Sequence, residues 1–155
     1  MDVAEWEIVA RLGVACLLGG LLGIEREATG QEAGLRTHML LSLGAAVFAL
    51  ASVTGFDSFI ESGPSNVRVD PGRIASYVAA GVGFIGGGAI LKRDDHVRGL
   101  TTAASLWCAA GIGVACGLGL WLVPAVASGF ALVSLAILRP ISKWLASRSK
   151  GEQGS

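Results

Sequence analysis

Charge is scarce in this chain of 155 residues, of which 15% are charged, against about 25% in a typical soluble domain. Its twelve basic residues balance its twelve acidic ones, so no excess of charge indicates a nucleic-acid partner. Hydrophobic residues make up 52% of the chain, and the mean hydropathy is +0.62. This composition excludes an ordinary soluble domain and favours an integral membrane protein.

Cysteine is also rare, and patterns typical of catalytic sites are missing. The three cysteines, Cys16, Cys108 and Cys116, lie inside apolar segments with no CxxC spacing, which predicts buried small side chains rather than disulfides. The sequence has no HExxH motif, no P-loop and no credible Ser/His/Asp pattern. It therefore predicts a protein that is not an enzyme. The acidic N-terminus, MDVAEWE, does not have the basic region of a secretory signal.

Five apolar segments approach the about 20 residues that a membrane-spanning helix needs. They predict an all-α, polytopic membrane bundle over residues 1–139, followed by a short basic cytoplasmic tail over residues 140–155. The predicted spans are Trp6–Ile24, His38–Phe56, Ile74–Leu91, Thr102–Cys116 and Leu118–Leu138.

The distribution of Lys and Arg predicts the orientation. With the N-terminus outside and the C-terminus in the cytoplasm of a bacterial plasma membrane, nine of the twelve basic residues lie on the cytoplasmic side. The basic tail either follows this rule alone or also binds anionic lipid headgroups.

Two stretches of the chain resemble each other, AGLRTHMLLSLGAA from Ala33 and RGLTTAASLWCAAG from Arg98. Aligning Gly34 with Gly99 also pairs Thr37 with Thr102, which predicts a parallel repeat of helices 1–2 and 3–4. The threonine hydroxyls could cap the helix starts. Alternatively, the two starts form paired sites for phosphate or lipid headgroups beside Arg26, Arg36, Arg93 and Arg98. The helix-start motifs comprise Gly34, Leu35, Thr37, Gly99, Leu100, Thr101 and Thr102.

Several charged residues lie in or near the predicted spans. Asp70 precedes a proline, so it is expected to cap a helix, or else to pair with Arg11 or receive a cation. Arg11 falls inside the first span, where a charge is either functional or reaches the interface. The candidate functional charged residues are Arg11, Glu25, Arg26, Arg36, Asp70, Arg73 and Arg98.

Acidic residues also gather near the predicted cytoplasmic face. Because carboxylate oxygens suit divalent cations, these residues could bind magnesium, but their spacing matches no known metal loop and ordinary pairing with the neighbouring arginines is the favoured explanation. No metal site or other cofactor is assigned with confidence. The set consists of Glu25, Glu27, Asp94 and Asp95, with His38 and His96 nearby.

Small-residue motifs predict close helix contacts, within the subunit or across an oligomer. GxxxG occurs at Gly19/Gly23, at Gly83/Gly87 and at Gly113/Gly117. The residues assigned to helix packing are Gly19, Gly23, Gly83, Gly86, Gly87 and Trp107.

Four motifs occur in the order found in a known family. GGLLGIERE, AGLRTHMLLSLGAA, DPGRIASYVAAGVGFIGGGAIL and VRGLTTAASLWCAAG together resemble the membrane domain of the MgtC/SapB family of bacterial inner-membrane proteins, over about Leu12 to Gly119. Some virulence-associated members resemble GLNTAATLWC where this chain has GLTTAASLWC, with Thr101 in place of Asn. Many also carry a cytoplasmic C-terminal domain, so the chain is expected to be a short form closer to the SapB side. The family's shared positions correspond to Glu25, Arg26, Gly34, Leu35, Arg36, Asp70, Pro71, Arg73, Gly83, Phe84, Gly86, Gly99, Leu100, Thr102 and Trp107.

The resemblance implies a non-enzymatic membrane protein that regulates other membrane proteins during magnesium limitation, stress or virulence. Self-association in the bilayer is expected, and the implied partners are ATP synthase or a P-type magnesium transporter. The alternative function is a transporter or channel for a small ion such as magnesium. Helix repeats and intramembrane charge are features that transporters also use.

Overall fold

The computed structural model describes residues 3–55, 70–93, 96–140 and 144, and most of these residues are helical. A two-stranded antiparallel hairpin, which the sequence did not predict, links the third helix to the fourth. The fifth helix continues through a π-helical turn at Val133–Ile137 and is described as far as Pro140. The elements are α1 Glu5–Ala28, α2 Leu35–Thr54, α3 Pro71–Ala89, β1 Leu91–Arg93, β2 His96–Arg98, α4 Leu100–Gly117 and α5, which starts as Leu122–Leu132.

The predicted all-α membrane bundle is confirmed. Helix α1 packs on α2 and α3 packs on α4, as two consecutive hairpins would. The central helices α2 and α4 pack on each other, α1 contacts α4, and α3 contacts α2. This pattern of contacts is the one expected if a two-fold axis relates the hairpins, while α5 covers one side of α1 and α4.

Four of the described helices, α1, α2, α4 and α5, are long and apolar enough to cross a membrane. Helix α3 is not among them, so composition supports four spans of the predicted five. The third predicted span does form a helix of 19 residues, but six of them are glycines, and Arg73 lies in its first turn. Phe56, the predicted end of the second span, lies outside the described residues.

The bundle has two chemically different ends. At one end α1, α3 and α5 finish and α2 and α4 begin; we call it the basic end because it carries Arg26, Arg36, Lys92, Arg98 and Arg139. At the opposite end, called the far end, lie the first turn of α1, Asp70 and the turn between α4 and α5.

Glycines let α2 approach both of its main neighbours. A Cβ atom at Gly19 would lie 2.6 Å from the Cβ of Ser42, and one at Gly23 would lie 2.6 Å from the Cα of Leu35. On α4, a Cβ at Gly117 would lie 2.3 Å from the carbonyl oxygen of Ala46. Close packing at these GxxxG motifs is therefore confirmed, and α1, α2 and α4 form one tight core.

The GxxxG motif of α3, Gly83/Gly87, behaves differently. Cβ positions built on Gly83 and Gly87 have no atom within 4 Å in the described chain, whereas one on Gly86 would lie 3.5 Å from the Cβ of Ala103. Gly83 and Gly87 thus make no close contact within the described subunit, and their packing across an oligomer stays a prediction. Trp107 is likewise exposed over 59% of its surface, so it is not buried within the described subunit.

Candidate functional site

The two helix-start motifs lie in equivalent registers. Helix α2 begins at Leu35 and α4 at Leu100, each directly after the aligned glycine. The glycines differ in conformation: Gly34 is extended, whereas Gly99 has φ +86°. Only glycine suits the second position, since a Cβ there would lie 1.9 Å from the carbonyl oxygen of Ala89.

The predicted threonine caps are wrong. In the described segments around both starts, the N-cap residue is glycine and no side chain caps it. At α2, a carboxylate oxygen of Glu27 instead accepts a hydrogen bond from the Leu35 N–H at 2.9 Å. Glu27 thus places negative charge at the positive end of α2, where an anionic ligand was the predicted alternative.

The aligned threonines lie in different surroundings. Thr37 is exposed, whereas Thr102 is buried. Gly34 is in contact with the Glu27 side chain, while Gly99 lies against the backbone at the end of α3. The repeat therefore preserves helix positions but not the chemistry at each helix start.

A buried polar cluster joins α2 to α4 just inside the basic end. His38 is fully buried; its Nδ1 lies 3.0 Å from the carbonyl oxygen of Gly34, and its Nε2 lies 3.1 Å from the hydroxyl of Ser105. Ser105 lies 2.9 Å from the carbonyl oxygen of Thr102. One turn along α2, Ser42 is buried, and its hydroxyl has no hydrogen-bond partner among the described residues.

The hydrogens available to this cluster limit its bonds. A neutral imidazole that donates from Nδ1 to Gly34 must accept at Nε2 from Ser105. The single hydroxyl proton of Ser105 then cannot also reach Thr102. A neutral His38 therefore satisfies two of the three close contacts at a time, and Ser105 can alternate between two acceptors.

Arg11 joins α1 to the last turn of α4 at the far end of the bundle. It is 5% exposed, donates to Glu7 at 2.5 Å and donates to the carbonyl oxygen of Gly117 at 2.9 Å. A cation is favoured at the last turn of a helix, where carbonyl groups lack partners. This buried bridge takes the place of the alternative pairing with Asp70, while the reach of Arg11 to the outer interface stays a prediction.

Asp70 caps α3, as its sequence context predicted. Its carboxylate accepts from the Gly72 N–H at 3.0 Å, and its side chain is exposed. Arg73, one turn into α3, is also exposed. Neither residue lines either of the two cavities described below.

The acidic residues considered as an alternative magnesium site do not come together in the described part of the chain. Glu25 pairs with Arg26 at 2.5 Å, Glu27 binds the start of α2, and His38 lies in the α2–α4 interface. Among the described residues, no three His, Cys, Asp or Glu side chains are close enough to hold a metal ion. Asp94 and Asp95 lie outside those residues.

Arg26 belongs to a polar cavity of about 280 Å³ at the basic end, between α1, α4 and α5. Arg26 is 3% exposed, and its carbonyl oxygen accepts from the backbone N–H of Gln31. Arg36 and Arg98 are exposed and do not line this cavity. The lining residues are Arg26, Gln31, Thr101, Ser134, Leu135, Leu138 and Arg139.

A second cavity, of about 420 Å³, is an apolar groove between α2 and α3. Its walls include Leu40, Phe48, Tyr77 and Ile85, whose side chains are largely exposed. The sequence did not predict this groove, because its shape depends on how α3 packs against α2.

Several residues of these sites were not singled out from the sequence, among them Glu7, Ser105, Ser134 and Arg139. Glu7 could have been found, because it precedes Arg11 by four residues, the spacing of a helical ion pair. Ser105, Ser134 and Arg139 carried no such signal, because their neighbours come from other helices.

The sequence profile of the MgtC family matches residues 12–144. The chain is 46% identical over 132 residues to Protein MgtC of Brucella abortus, covering 85% of this chain and 51% of that protein. It is 49% identical over 111 residues to Protein MgtC of Salmonella typhimurium, covering 72% of this chain and 43% of that protein. A search of solved structures found no match.

A relative in Escherichia coli K12, named putative magnesium transporter YhiD, is 40% identical over 136 residues, covering 88% of this chain and 62% of that protein. The chain thus spans about half the length of the curated relatives it matches. The matched profile covers the described helices from Leu12 onward, so Glu7 and Arg11 lie outside it. The chain belongs to the MgtC family of membrane proteins.

Proposed function

We propose that this chain is a non-enzymatic regulator that binds other integral membrane proteins during magnesium limitation or related stress. The observation that carries the proposal is the closed centre of the bundle. A Cβ at Gly113 would lie 2.1 Å from the carbonyl oxygen of Ser42, so the described parts of α2 and α4 leave no room for an ion between them at this level.

The positions of two carboxylates also support regulation over transport. A conducting path would have to join Asp70 at the far end to Glu25 at the basic end. Asp70 is engaged by its own helix start and Glu25 by Arg26. The described helices between them meet at close glycine contacts, which favours a static scaffold.

The proposal includes the placement of the chain in the bacterial plasma membrane. The basic end would face the cytoplasm, in line with the positive-inside rule, and the N-terminus would face outside. Self-association and contact with ATP synthase or a P-type magnesium transporter belong to the same proposal, on the strength of the family resemblance.

Photocrosslinking in living cells tests the proposal. A photoreactive residue at Phe84, which is 87% exposed on α3, would be compared with one at the buried Leu106. We expect Phe84 to capture another membrane protein when magnesium is limiting, and Leu106 to capture none. Crosslinks that contain only copies of this chain, under both high and low magnesium, would contradict the proposal.

Ion transport is the second candidate, favoured by the name of the Escherichia coli relative. Purified protein in liposomes should show no magnesium flux under an imposed gradient if the chain is a regulator. Flux that changes on Asp70→Asn would favour transport. Asn keeps a capping oxygen, so this substitution removes the charge and preserves the helix start.

A further inference from the structure

The apolar groove between α2 and α3 corresponds to the place that α5 occupies on the other side of the bundle. Helix α5 packs on α1 and α4, where its Leu135 joins a buried cluster with Leu22 and Ile112. A two-fold axis that relates the hairpins exchanges α1 with α3 and α4 with α2. The counterpart of the surface under α5 is therefore the surface between α3 and α2, which is the groove of about 420 Å³.

The groove has the form of a seat for a helix. Its floor contains Ala45 and Val82, each 4% exposed, which pack with Ala110 of α4, so the groove is continuous with the core of the bundle. Gly44 and Gly81 also line it, and a Cβ on either glycine would meet no atom within 4 Å in the described chain. Small residues let helix backbones approach closely in a bilayer, where lipid tails are as apolar as the side chains. The two glycines therefore leave space for the backbone of another helix.

Helix α5 has an uncovered apolar face. Val126, Phe130 and Val133 follow at spacings of four and three residues, so their side chains share one side of the helix. They are 46%, 72% and 47% exposed, whereas Ser128 and Leu135 on the opposite side are buried. Helix α5 thus packs on its own subunit through one face and carries an apolar ridge on the other, which we call the outer face of α5.

Helix direction favours a second copy of the chain as the occupant of the groove. Helix α5 runs from the far end to the basic end, and a two-fold axis along the membrane normal preserves that direction at the counterpart seat. Copies of one chain share one orientation in the bilayer, since the same distribution of Lys and Arg directs each of them. The lining of the groove and the outer face of α5 contain no charged residue, so their contact buries no unpaired ion.

We propose that the groove between α2 and α3 receives the outer face of α5 from a second copy of this chain. The proposal rests on the self-association included in the proposed function, and it identifies the two surfaces that meet. Because the groove and α5 lie on opposite sides of the bundle, each copy presents a groove to one neighbour and a helix to another. Such heterologous contacts continue into rings or rows and do not stop at a dimer.

Thiol crosslinking of the full chain in native membranes tests the pairing, with the three native cysteines replaced by alanine. Tyr77→Cys places a thiol on the wall of the groove, and Val126→Cys places one on the outer face of α5. Both positions lie in the half of their helix nearer the far end, so they have similar depth in the bilayer. A short bis-maleimide should join the double variant into dimers, trimers and longer species, and should leave each single variant uncrosslinked.

Two further substitutions, made in the double variant, add the same volume at different places on α3. Gly81→Leu should fill the groove and reduce the crosslinked fraction by roughly tenfold, the effect of overpacking a close contact. Gly83→Leu is the matched control, because Gly83 is exposed two residues away and does not line the groove. Leucine favours helix more than glycine does, so neither substitution is expected to unfold α3.

Three results would overturn the proposal. Dimers of Val126→Cys alone would indicate a symmetric contact between two α5 helices. Equal losses in Gly81→Leu and Gly83→Leu would place the interface elsewhere on α3. An uncrosslinked double variant would mean that lipid or another protein fills the groove. Capture of another membrane protein at Phe84 is a separate measurement, so the proposed regulatory function can stand when this interface fails.

Discussion

Gly113 of α4 lies directly against the backbone of Ser42 in α2, and a Cβ at this glycine would lie 2.1 Å from the Ser42 carbonyl oxygen. No flexible side chain can move aside there, because the obstacle is main chain. The spacing of the two central helices therefore depends on the absence of one methyl group.

Gly113→Ala should destabilise the bundle by about 1 to 3 kcal/mol, the usual effect of overpacking a core. Gly111→Ala is the matched control on the same helix, because a Cβ there meets no atom within 4 Å in the described chain. Thermal unfolding in detergent would compare the two. Equal melting temperatures for both variants would show that the close contact does not limit stability.

Ser105→Ala should weaken the α2–α4 interface by about 1 kcal/mol, as is typical of hydrogen bonds between membrane helices. The variant leaves Nε2 of the buried His38 without its partner. Ser42→Ala is the control, since the Ser42 hydroxyl has no partner among the described residues and its loss should be neutral or stabilising. Chemical denaturation in mixed micelles measures both; a larger loss for Ser42→Ala would contradict the assignment.

Arg11→Gln should destabilise the far end by about 2 to 3 kcal/mol, because it removes charged hydrogen bonds to Glu7 and to the end of α4. Arg73→Gln removes the same charge from an exposed position at that end and should have little effect. A double-mutant cycle with Glu7→Gln measures the coupling of the pair. Strict additivity of the two single changes would mean that the ion pair contributes nothing.

Cysteine labelling tests the orientation. With the three native cysteines replaced by alanine, we expect Glu5→Cys to react with a membrane-impermeant maleimide in intact spheroplasts, and Arg36→Cys to react only after lysis. Both positions are exposed and lie at opposite ends of the bundle. The reverse pattern would place the basic end outside, against the positive-inside rule.

The sequence predicted the helices and the register of the repeat, because hydrophobic length and the Gly-Leu-x-Thr motif are local signals. It did not predict Glu27 at the start of α2. That carboxylate comes close to the Leu35 N–H only because the chain between them turns at Gly30, which has φ +70°. It also grouped Trp107 with packing residues, since composition alone cannot tell which face of an apolar helix meets its neighbours.

The cavity at the basic end was even less accessible to sequence reasoning. Arg26 was a candidate from its place in the motif GGLLGIERE, but Arg139 comes from α5 and reaches the site only through the fold. A π turn has no reliable sequence signal, so the shared side of Ser134 and Arg139 could not be inferred. Local patterns thus predicted Arg26 but not the cavity that it lines.

The ion pair between Glu7 and Arg11 also bears on how the protein enters the bilayer during synthesis. Arg11 must insert long before Gly117 has been translated, so its final carbonyl partner does not yet exist. Glu7 precedes it by one helical turn and can neutralise it as soon as α1 forms. The first helix therefore carries its own counterion through insertion. When α4 arrives, Arg11 also donates to the carbonyl oxygen of Gly117, and the local ion pair then joins the first helix to the fourth.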